Sequence, residues 1–211
     1  MKKLHKINMN LYKKNLKKLL NSHSYYPSLE HDACGVGFVA STEGKKSRKV
    51  VEYGIEALKA VWHRGAVDAD GKTGDGAGIH IEIPIDFFKE KVELNGHKYR
   101  DDEICVGMIF LPRNNYEAQE SCRTIIESEL KKNGFNIYGW RQVPVNPSVL
   151  GEKAEITRPE ICQVLFSPKI IKLSGKSLEI KLYETRKKIE KQAIESSISN
   201  FYICSFSSKS I

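Results

Sequence analysis

Two stretches of the chain repeat apolar residues at the spacing of an amphipathic helix, residues 48–62 and, more regularly, residues 115–132. Asn133 and Gly134 directly follow the second stretch, and glycine at that place commonly ends a helix. We therefore predict a helix in both ranges. The positions that carry the pattern are Val50, Val51, Ile55, Leu58 and Val61 in the first helix, and Ala118, Cys122, Ile125, Ile126, Glu129 and Leu130 in the second.

Shorter apolar or alternating runs predict β-strands. In residues 79–85 isoleucine alternates with other residues up to Pro84, and residues 104–111 are almost continuously apolar. Some neighbouring strands are joined directly and others are separated by a helix. This mixed order indicates a layered α+β domain in which helices pack on sheets. The remaining predicted elements are strands at 34–40, 135–145, 160–166 and 201–206, a helical turn at 86–92, and a segment at 177–189 that begins extended and becomes a charged helix through about Ser196.

Composition supports a globular domain and argues against two other classes of protein. The chain has 211 residues, of which 40% are hydrophobic, so a core of ordinary size is available. No apolar run approaches the roughly 18 residues that cross a bilayer, so we expect no membrane partner. Of the net charge of +8, residues 1–33 carry +5, through seven lysines against Glu30 and Asp32. The rest has no compact basic stripe, so we expect no nucleic-acid partner.

Residues 1–33 indicate that the chain is processed, and the cysteines indicate the compartment in which it works. The lysine-rich start has a loose stripe of leucines but no arginine, and we interpret residues 1–33 as a removable leader. Five scattered cysteines without a CxxC pair fit free thiols in a reducing compartment, so we expect a cytoplasmic protein and no metal site. Three of them lie in apolar strand-like runs and are predicted to be buried: Cys105, Cys162 and Cys204.

Cys34 is the candidate nucleophile. It opens a short glycine-bearing segment, and removal of the leader would make it the N-terminal residue. A terminal amine has a pKa of about 7.7–8.0, so near pH 7 it can accept the proton of its own thiol. Gly35 and Gly37 leave room for a substrate beside the backbone. The alternative is a structural cysteine buried in a strand, which is the commoner role of a lone cysteine.

Two further motifs have sufficient structural explanations of their own. His63, Arg64 and Gly65 follow the first helix, where glycine suits a C-cap and basic residues favour the negative end of the helix dipole. The glycine-rich residues 71–78 lack the ending of a phosphate-binding P-loop, and Asp75 would repel an anion. This loop is therefore predicted to be a tight turn before the strand at 79–85.

Together, three segments resemble one family. They read DACGVGF at 32–38, HRGAVDADGKTGDGAG at 63–78 and FYICSFSS at 201–208. In this order they are similar to the class II glutamine amidotransferase domain at the start of glutamate synthase large subunits. The resemblance extends from about residue 30 to the last residue, and the first two segments together are the most specific part.

The resemblance implies a fold, a reaction and a site. The fold is the N-terminal-nucleophile hydrolase type, an αββα four-layer sandwich, which we expect to be incomplete at the C-terminus. Residues 1–33 become a propeptide, and residues 34–211 the first portion of the domain. Cys34 would attack L-glutamine and release glutamate and ammonia through a thioester. Arg64 and Gly65 match a motif that supports the nucleophile, whereas the substrate-binding residues are expected beyond Ile211.

The resemblance also implies partners and cofactors outside the chain. In the full-length family enzyme, ammonia passes to a synthase domain that carries FMN and an iron–sulfur cluster, with a small electron-transfer subunit or ferredoxin as electron source. We expect no cofactor in this chain, and expect the chain alone, as a truncated domain, to have little activity.

Two other functions stay open. One is a non-catalytic binding or regulatory fragment with a structural Cys34, and the other is an N-terminal-nucleophile amidase that acts on a different amide.

Overall fold

The computed structural model describes residues 13–18, 35–62, 65–99, 104–169 and 173–211. The chain divides into two compact units, Met1–Val36 and Gly37–Ile211. In the first unit, residues 13–18 are helical. The elements described below belong to the second unit.

The second unit is built on an antiparallel sheet of four strands. In spatial order the strands are β2, β3, β1 and β4, so β2 and β4 form the edges. The two central strands are the most apolar, because both of their faces are covered by other parts of the chain. The strand bounds are β1 Cys105–Leu111, β2 Phe135–Gln142, β3 Glu160–Pro168 and β4 Tyr202–Ser207.

Five α-helices and one short 3₁₀ helix accompany the sheet in the described part of this unit. The predicted helices at 48–62 and 115–132 are confirmed, as is the mixed α and β character. Asn115 caps the second of them by accepting the N–H of Ala118 at 2.9 Å, as its side chain suits. The bounds are α1 Arg48–Ala60, α2 Ile85–Leu94, α3 Tyr116–Lys132, α4 Glu152–Thr157 and α5 Gly175–Glu195, with the 3₁₀ helix at Pro147–Val149.

The main core lies between one face of the sheet and helices α3 and α5. Phe166 of β3 is fully buried there, with its ring centroid 5.3 Å from that of Phe135 and 4.9 Å from that of Phe206. Gly107 of β1 faces the same cluster, and a Cβ there would come within 2.8 Å of both Phe206 and Val164. The sheet therefore packs close to the helices, and glycine is required where the Phe206 ring crosses β1.

A smaller core covers the opposite face of the sheet. Phe88 and Val92 of α2 are buried against strand residues that point away from α3 and α5. Ile83, just before α2, joins them because residues 81–83 pair with the backbone of residues 209–211. The remaining members are Ile104, Val106, Tyr138 and Leu165.

Three sequence predictions differ from the structure. Residues 177–189 do not begin extended, because the side chains of α5 that face the core recur at helical spacing from Leu178 onward. The run 79–85 makes an isolated antiparallel bridge, Glu82 with Ser210, and gives Ile85 to α2, so it is shorter than the predicted strand. The 3₁₀ helix and α4 were not predicted, because proline and glycine dominate the sequence before them.

Cys204 is exposed, so the prediction that it is buried is wrong, whereas Cys105 and Cys162 are buried as predicted. The cause is a β-bulge in edge strand β4. Met108 faces Ser205 and the next residue, Ile109, faces Ile203, so Cys204 has no residue opposite it. An extra residue of this kind interrupts the regular alternation of side chains between the two faces of the strand. The periodicity of the sequence cannot predict where such an interruption occurs.

A buried carboxylate joins α3 to α5. Glu129 is only 4% exposed, and its side chain accepts hydrogen bonds from Gln192 at 2.7 Å, Lys132 at 3.0 Å and Asn133 at 3.3 Å. Burial alone would raise the pKa of Glu129, but the hydrogen bonds from Lys132 and Gln192 outweigh it, and the pKa lies below its ordinary value of 4.5. The charged form is therefore the one that the fold favours.

We expect Glu129→Gln to lower the free energy of unfolding by about 1–3 kcal/mol at pH 7, because three donors lose their charged acceptor. The pKa of Glu129 is lowered in the folded chain, so its contribution is present above about pH 4.5 and is lost as the pH falls further. The variant should therefore lose less stability than the parent between about pH 5 and pH 3. Urea unfolding at a series of pH values measures both effects. Glu120→Gln, at an exposed position on the same helix, is the control; equal acid slopes for Glu129→Gln and the parent would contradict the assignment.

Candidate active site

Of the predicted site residues, Gly65 lies in the described part of the chain, and Cys34 and Arg64 lie outside it. Gly65 is exposed and its N–H donates to the carbonyl oxygen of Trp62 at 3.0 Å. Helix α1 ends at Ala60 with Val61 as its C-cap, so Gly65 is not the cap that its position suggests. It belongs instead to the turn that leads from α1 into the following loop.

The segment that follows Cys34 has no regular secondary structure in residues 35–40. The predicted strand at 34–40 is wrong for these residues, because none of the four strands of the sheet pairs with them. Val36 and Phe38 are 90% and 89% exposed. A Cβ at Gly37 would lie 3.8 Å from that of Ala57, so Gly37 lies close to α1.

Residues 66–75 form a small hairpin directly after Gly65. Val67 pairs with Gly74, and the N–H of Asp68 donates to the carbonyl oxygen of Thr73 at 2.7 Å. Asp75 closes the base, because its carboxylate accepts the N–H of Ala66 at 2.8 Å. The tight turn lies at residues 68–73 and so overlaps only the start of the glycine-rich residues 71–78 for which it was predicted. Asp75 has a structural role at the base of the hairpin.

Asp70 organises the tip of this hairpin. Its carboxylate accepts the hydroxyl of Thr73 at 2.5 Å and the backbone N–H groups of Thr73 and Lys72 at 2.7 and 2.9 Å. These bonds, the one from the Thr73 hydroxyl first, lower the pKa of Asp70 from 3.8 to about 2. The tip is therefore held by an ionised carboxylate at any pH near neutrality.

The hairpin tip rests against the start of α4. A Cβ at Gly151 would overlap Thr73 Oγ1 and Asp70 Oδ2, so the two backbones meet there without a side chain between them. Lys153 Nζ lies 2.7 Å from Asp68 Oδ2, which adds an ion pair beside this contact. Sequence reasoning missed Asp70 and Gly151, because the two are 81 positions apart and neither belongs to a recognisable sequence motif.

Comparison with known proteins identifies the domain to which these elements belong. Residues 34–211 match the family of class II glutamine amidotransferases. The chain belongs to this family. The match begins at the predicted nucleophile and includes both the hairpin and α4.

Similar proteins narrow the family to glutamate synthases. The chain is 53% identical to the glutamate synthase [NADPH] large chain of Azospirillum brasilense, over 95% of this chain and 13% of that protein. It is 42% identical to the ferredoxin-dependent glutamate synthase of Pyropia yezoensis, over 84% of this chain and 12% of that protein. For ferredoxin-dependent glutamate synthase 2 of Synechocystis the identity is 38%, over 86% of this chain and 11% of that protein. The chain is thus homologous to the glutamine amidotransferase domain of glutamate synthase, and spans about an eighth of these relatives' length.

The buried cysteines of the amidotransferase domain are poor nucleophiles. Burial raises the pKa of the Cys122 thiol to about 11, and it also raises the pKa of Cys162, although Arg123 lies nearby. Both thiols therefore stay protonated near pH 7, whereas the thiolate is the reactive form. Cys105 is buried as well, so Cys204 is the exposed thiol among the cysteines that the structure describes.

Two further properties concern ligands and membranes. Within the described ranges, no three His, Cys, Asp or Glu side chains are grouped so that they could hold a metal ion. No helix in those same ranges is both long enough and apolar enough to cross a membrane.

Proposed function

We propose that this chain is the glutaminase part of a glutamate synthase, with Cys34 as the nucleophile that hydrolyses L-glutamine to glutamate and ammonia. The observation that carries the proposal is the family match, which starts at Cys34 and continues to residue 211. A cysteine at the first position of the matched domain can use its own α-amine as the base. The raised pKa values of Cys122 and Cys162 also favour a nucleophile elsewhere.

The reaction proceeds in two balanced steps. The α-amine takes the proton of the Cys34 thiol, and the sulfur attacks the side-chain amide carbon of glutamine. The tetrahedral intermediate collapses as the C–N bond breaks, and the α-ammonium returns its proton to the departing nitrogen, which leaves as ammonia. Water then adds to the γ-glutamyl thioester with the α-amine as base, the C–S bond breaks, and glutamate and the free thiol are formed. Holding base and nucleophile on one residue removes the entropic cost of bringing two residues together.

Leader removal and the supporting motif are parts of the same proposal. Residues 1–33 act as a propeptide whose removal frees the amine of Cys34. Arg64 and Gly65 support the nucleophile, as the resemblance implies. The fold is proposed to be the four-layer sandwich of N-terminal-nucleophile hydrolases. The support for this proposal is the four-stranded sheet with helices α3 and α5 packed against one of its faces.

The wider reaction follows from the relatives. We propose that the ammonia serves a synthase domain whose FMN and iron–sulfur cluster lie outside these 211 residues, so no step above uses them. The relatives' names include both NADPH and ferredoxin, so the electron source is either a small NADPH-linked subunit or ferredoxin. The proposed location is the cytoplasm.

Covalent labelling tests the nucleophile directly. The full-length enzyme that contains this chain is incubated with a diazo-ketone analogue of glutamine, and the modified peptide is identified by mass spectrometry. We expect one adduct, on Cys34 with a free α-amine, and slower modification when glutamine is present. The reason is that the reagent must occupy the glutamine site before it alkylates the sulfur.

Cys204 supplies the internal control, because it is an exposed thiol in the same chain. Iodoacetamide needs no glutamine site and should modify both cysteines. If the diazo-ketone modified Cys204 as fast as Cys34, or left the folded full-length enzyme with a free Cys34 amine unmodified, the proposal would be wrong. The second result would favour a non-catalytic binding or regulatory role.

A further inference from the structure

Two helices of this domain end in the same pair of residues. Asn95 and Gly96 follow α2, and Asn133 and Gly134 follow α3. The asparagines have nearly the same backbone conformation, with φ −79° and ψ 5° at Asn95 and φ −89° and ψ 9° at Asn133. Both glycines lie in the left-handed region, at φ 80° and 84°. The two pairs are therefore closely matched, and the main difference between them is what surrounds each asparagine side chain.

An asparagine that precedes glycine is able to lose its side-chain amide without an enzyme. The backbone nitrogen of the glycine attacks the side-chain carbonyl carbon, so that a new C–N bond closes a succinimide ring. The original C–N bond of the amide breaks, and ammonia leaves with the proton of the glycine nitrogen. One water molecule then opens the ring at either carbonyl and gives aspartic or isoaspartic acid. Glycine allows the backbone rotation that this attack needs, because it has no side chain.

The side chain of Asn133 is held by both of its polar atoms. Its Nδ2 donates to the backbone carbonyl oxygen of Glu129 at 2.8 Å and to the Glu129 carboxylate at 3.3 Å. Its Oδ1 accepts a hydrogen bond from Lys188 of α5 at 2.9 Å. Asn133 is half-buried, and Phe135, at the start of β2, is fully buried. Attack by the glycine would require these hydrogen bonds to break together, so the fold protects this pair.

Asn95 is much less restrained. It is exposed, as is Gly96, and in the described part of the chain its side chain makes one hydrogen bond, from Nδ2 to the carbonyl oxygen of Tyr138 at 3.4 Å. The N–H of Gly96 donates to the carbonyl oxygen of Glu93 at 2.9 Å, so the last turn of α2 must open before the attack. This opening costs less than at α3, because Leu94 is 70% exposed and α2 has only ten residues.

We propose that Asn95 is a site of spontaneous deamidation in this domain, and that the fold protects Asn133 although glycine follows it too. The inference goes beyond the proposed function and does not depend on it, since neither asparagine takes part in the chemistry of Cys34. Its basis is the contrast between two matched pairs in one chain, one held by three hydrogen bonds and the other by one.

Deamidation at Asn95 changes the contact between α2 and β2. A Cβ at Gly139 would lie 2.9 Å from Asn95 Nδ2, so the amide fits closely against the β-bulge of β2. The product has a carboxylate in place of this donor, and the carboxylate faces the carbonyl oxygen of Tyr138. Two acceptors without a proton between them repel each other, so the end of α2 is released from the strand.

The test is peptide mapping of the full-length enzyme that contains this chain, after incubation in the folded state at mildly alkaline pH. Conversion is measured from the change in mass from amide to acid, and isoaspartate from its methylation by an isoaspartyl methyltransferase. We expect Asn95 to be converted at least about tenfold faster than Asn133, because fewer hydrogen bonds must break. In urea the two rates should become similar, because the contacts that distinguish the pairs are lost.

Lys188→Ala tests the protection of Asn133, because it removes the hydrogen bond to Oδ1. We expect the rate at Asn133 to rise about threefold and the rate at Asn95 to stay the same. Lys191→Ala is the matched control, because Lys191 is another exposed lysine of α5 and pairs with Glu195. It should change neither rate.

Asn95→Asp reproduces one product of the reaction and tests its structural effect. Amide hydrogen exchange of residues 92–97 should be faster in this variant than in the parent enzyme. Equal conversion of Asn95 and Asn133 in the folded enzyme, or an Asn95 that is converted only in urea, would overturn the proposal. A difference that persists in urea would overturn it as well, because the local sequence and not the fold would then be the cause. Faster conversion of Asn95 in the folded enzyme alone supports it.

Discussion

Replacement of Cys34 by alanine is expected to reduce glutamine hydrolysis by a factor on the order of 10⁵–10⁶, the loss that follows removal of an acyl-transfer nucleophile. Without the sulfur no thioester can form, and the α-amine has no proton to accept. The remaining activity is hydrolysis by direct attack of water on the bound glutamine. The measurement is the rate of glutamate release by the full-length enzyme with residue 34 as its N-terminus, compared with the same enzyme carrying alanine there.

Cys204→Ala is the control for this prediction, because it removes an exposed thiol from the β4 bulge without touching the proposed site. It should hydrolyse glutamine at the parent rate. A Cys34→Ala chain that kept a tenth of the parent activity would show that another group attacks the amide. Equal loss in both variants would point to a general effect of cysteine removal on folding.

Phe166→Ala is expected to lower the free energy of unfolding by about 3–5 kcal/mol, the range for removing a fully buried aromatic ring. The ring of Phe166 in β3 contacts the rings of Phe135 in β2 and Phe206 in β4. Its loss therefore leaves a cavity between the sheet and α5 that these elements cannot fill by moving closer. Denaturant unfolding monitored by circular dichroism gives the change, provided that the slope of the transition is the same in both proteins.

Phe38→Ala is the matched control, since it is the same substitution at a side chain that is 89% exposed. It should change the free energy of unfolding by no more than about 0.5 kcal/mol. Phe166→Leu, which keeps most of the volume, should lie between the two and remains measurable if the alanine variant does not fold. A cost below about 1 kcal/mol for Phe166→Ala would mean that the core is looser than described.

Local signals in the sequence were sufficient to predict those elements whose hydrophobic pattern and terminal residues indicate the same type of secondary structure. Helix α3 has an apolar face, an Asn115 cap and a glycine just beyond its end, and β1 and β3 are apolar on both faces because both faces are covered. The sequence predicts an extended start for α5 because residues 178–182 alternate like a strand, although the buried positions that follow recur at helical spacing. Short alternating runs cannot separate these two periods.

Features that depend on distant contacts could not be predicted. The Cys204 bulge is a property of how β4 aligns with β1, and the place of Gly151 depends on its contact with Asp70, 81 positions earlier. For the site, the motifs at 32–38 and 63–78 were sufficient to indicate the family that residues 34–211 match. They did not indicate what fixes the second motif in space, because α4 has no distinctive sequence of its own.

The strand order has a consequence for how the chain is made. Central strand β1 lies beside β4, and Met108 and Ser205, which face each other, are separated by almost a hundred residues. At roughly 5–20 residues per second, a ribosome delivers the second partner about 5–20 s after the first. During that interval the flank of β1 has no neighbour in the nascent polypeptide. Folding should therefore be slow for a domain of this size, and most dependent on chaperones just before β4 emerges.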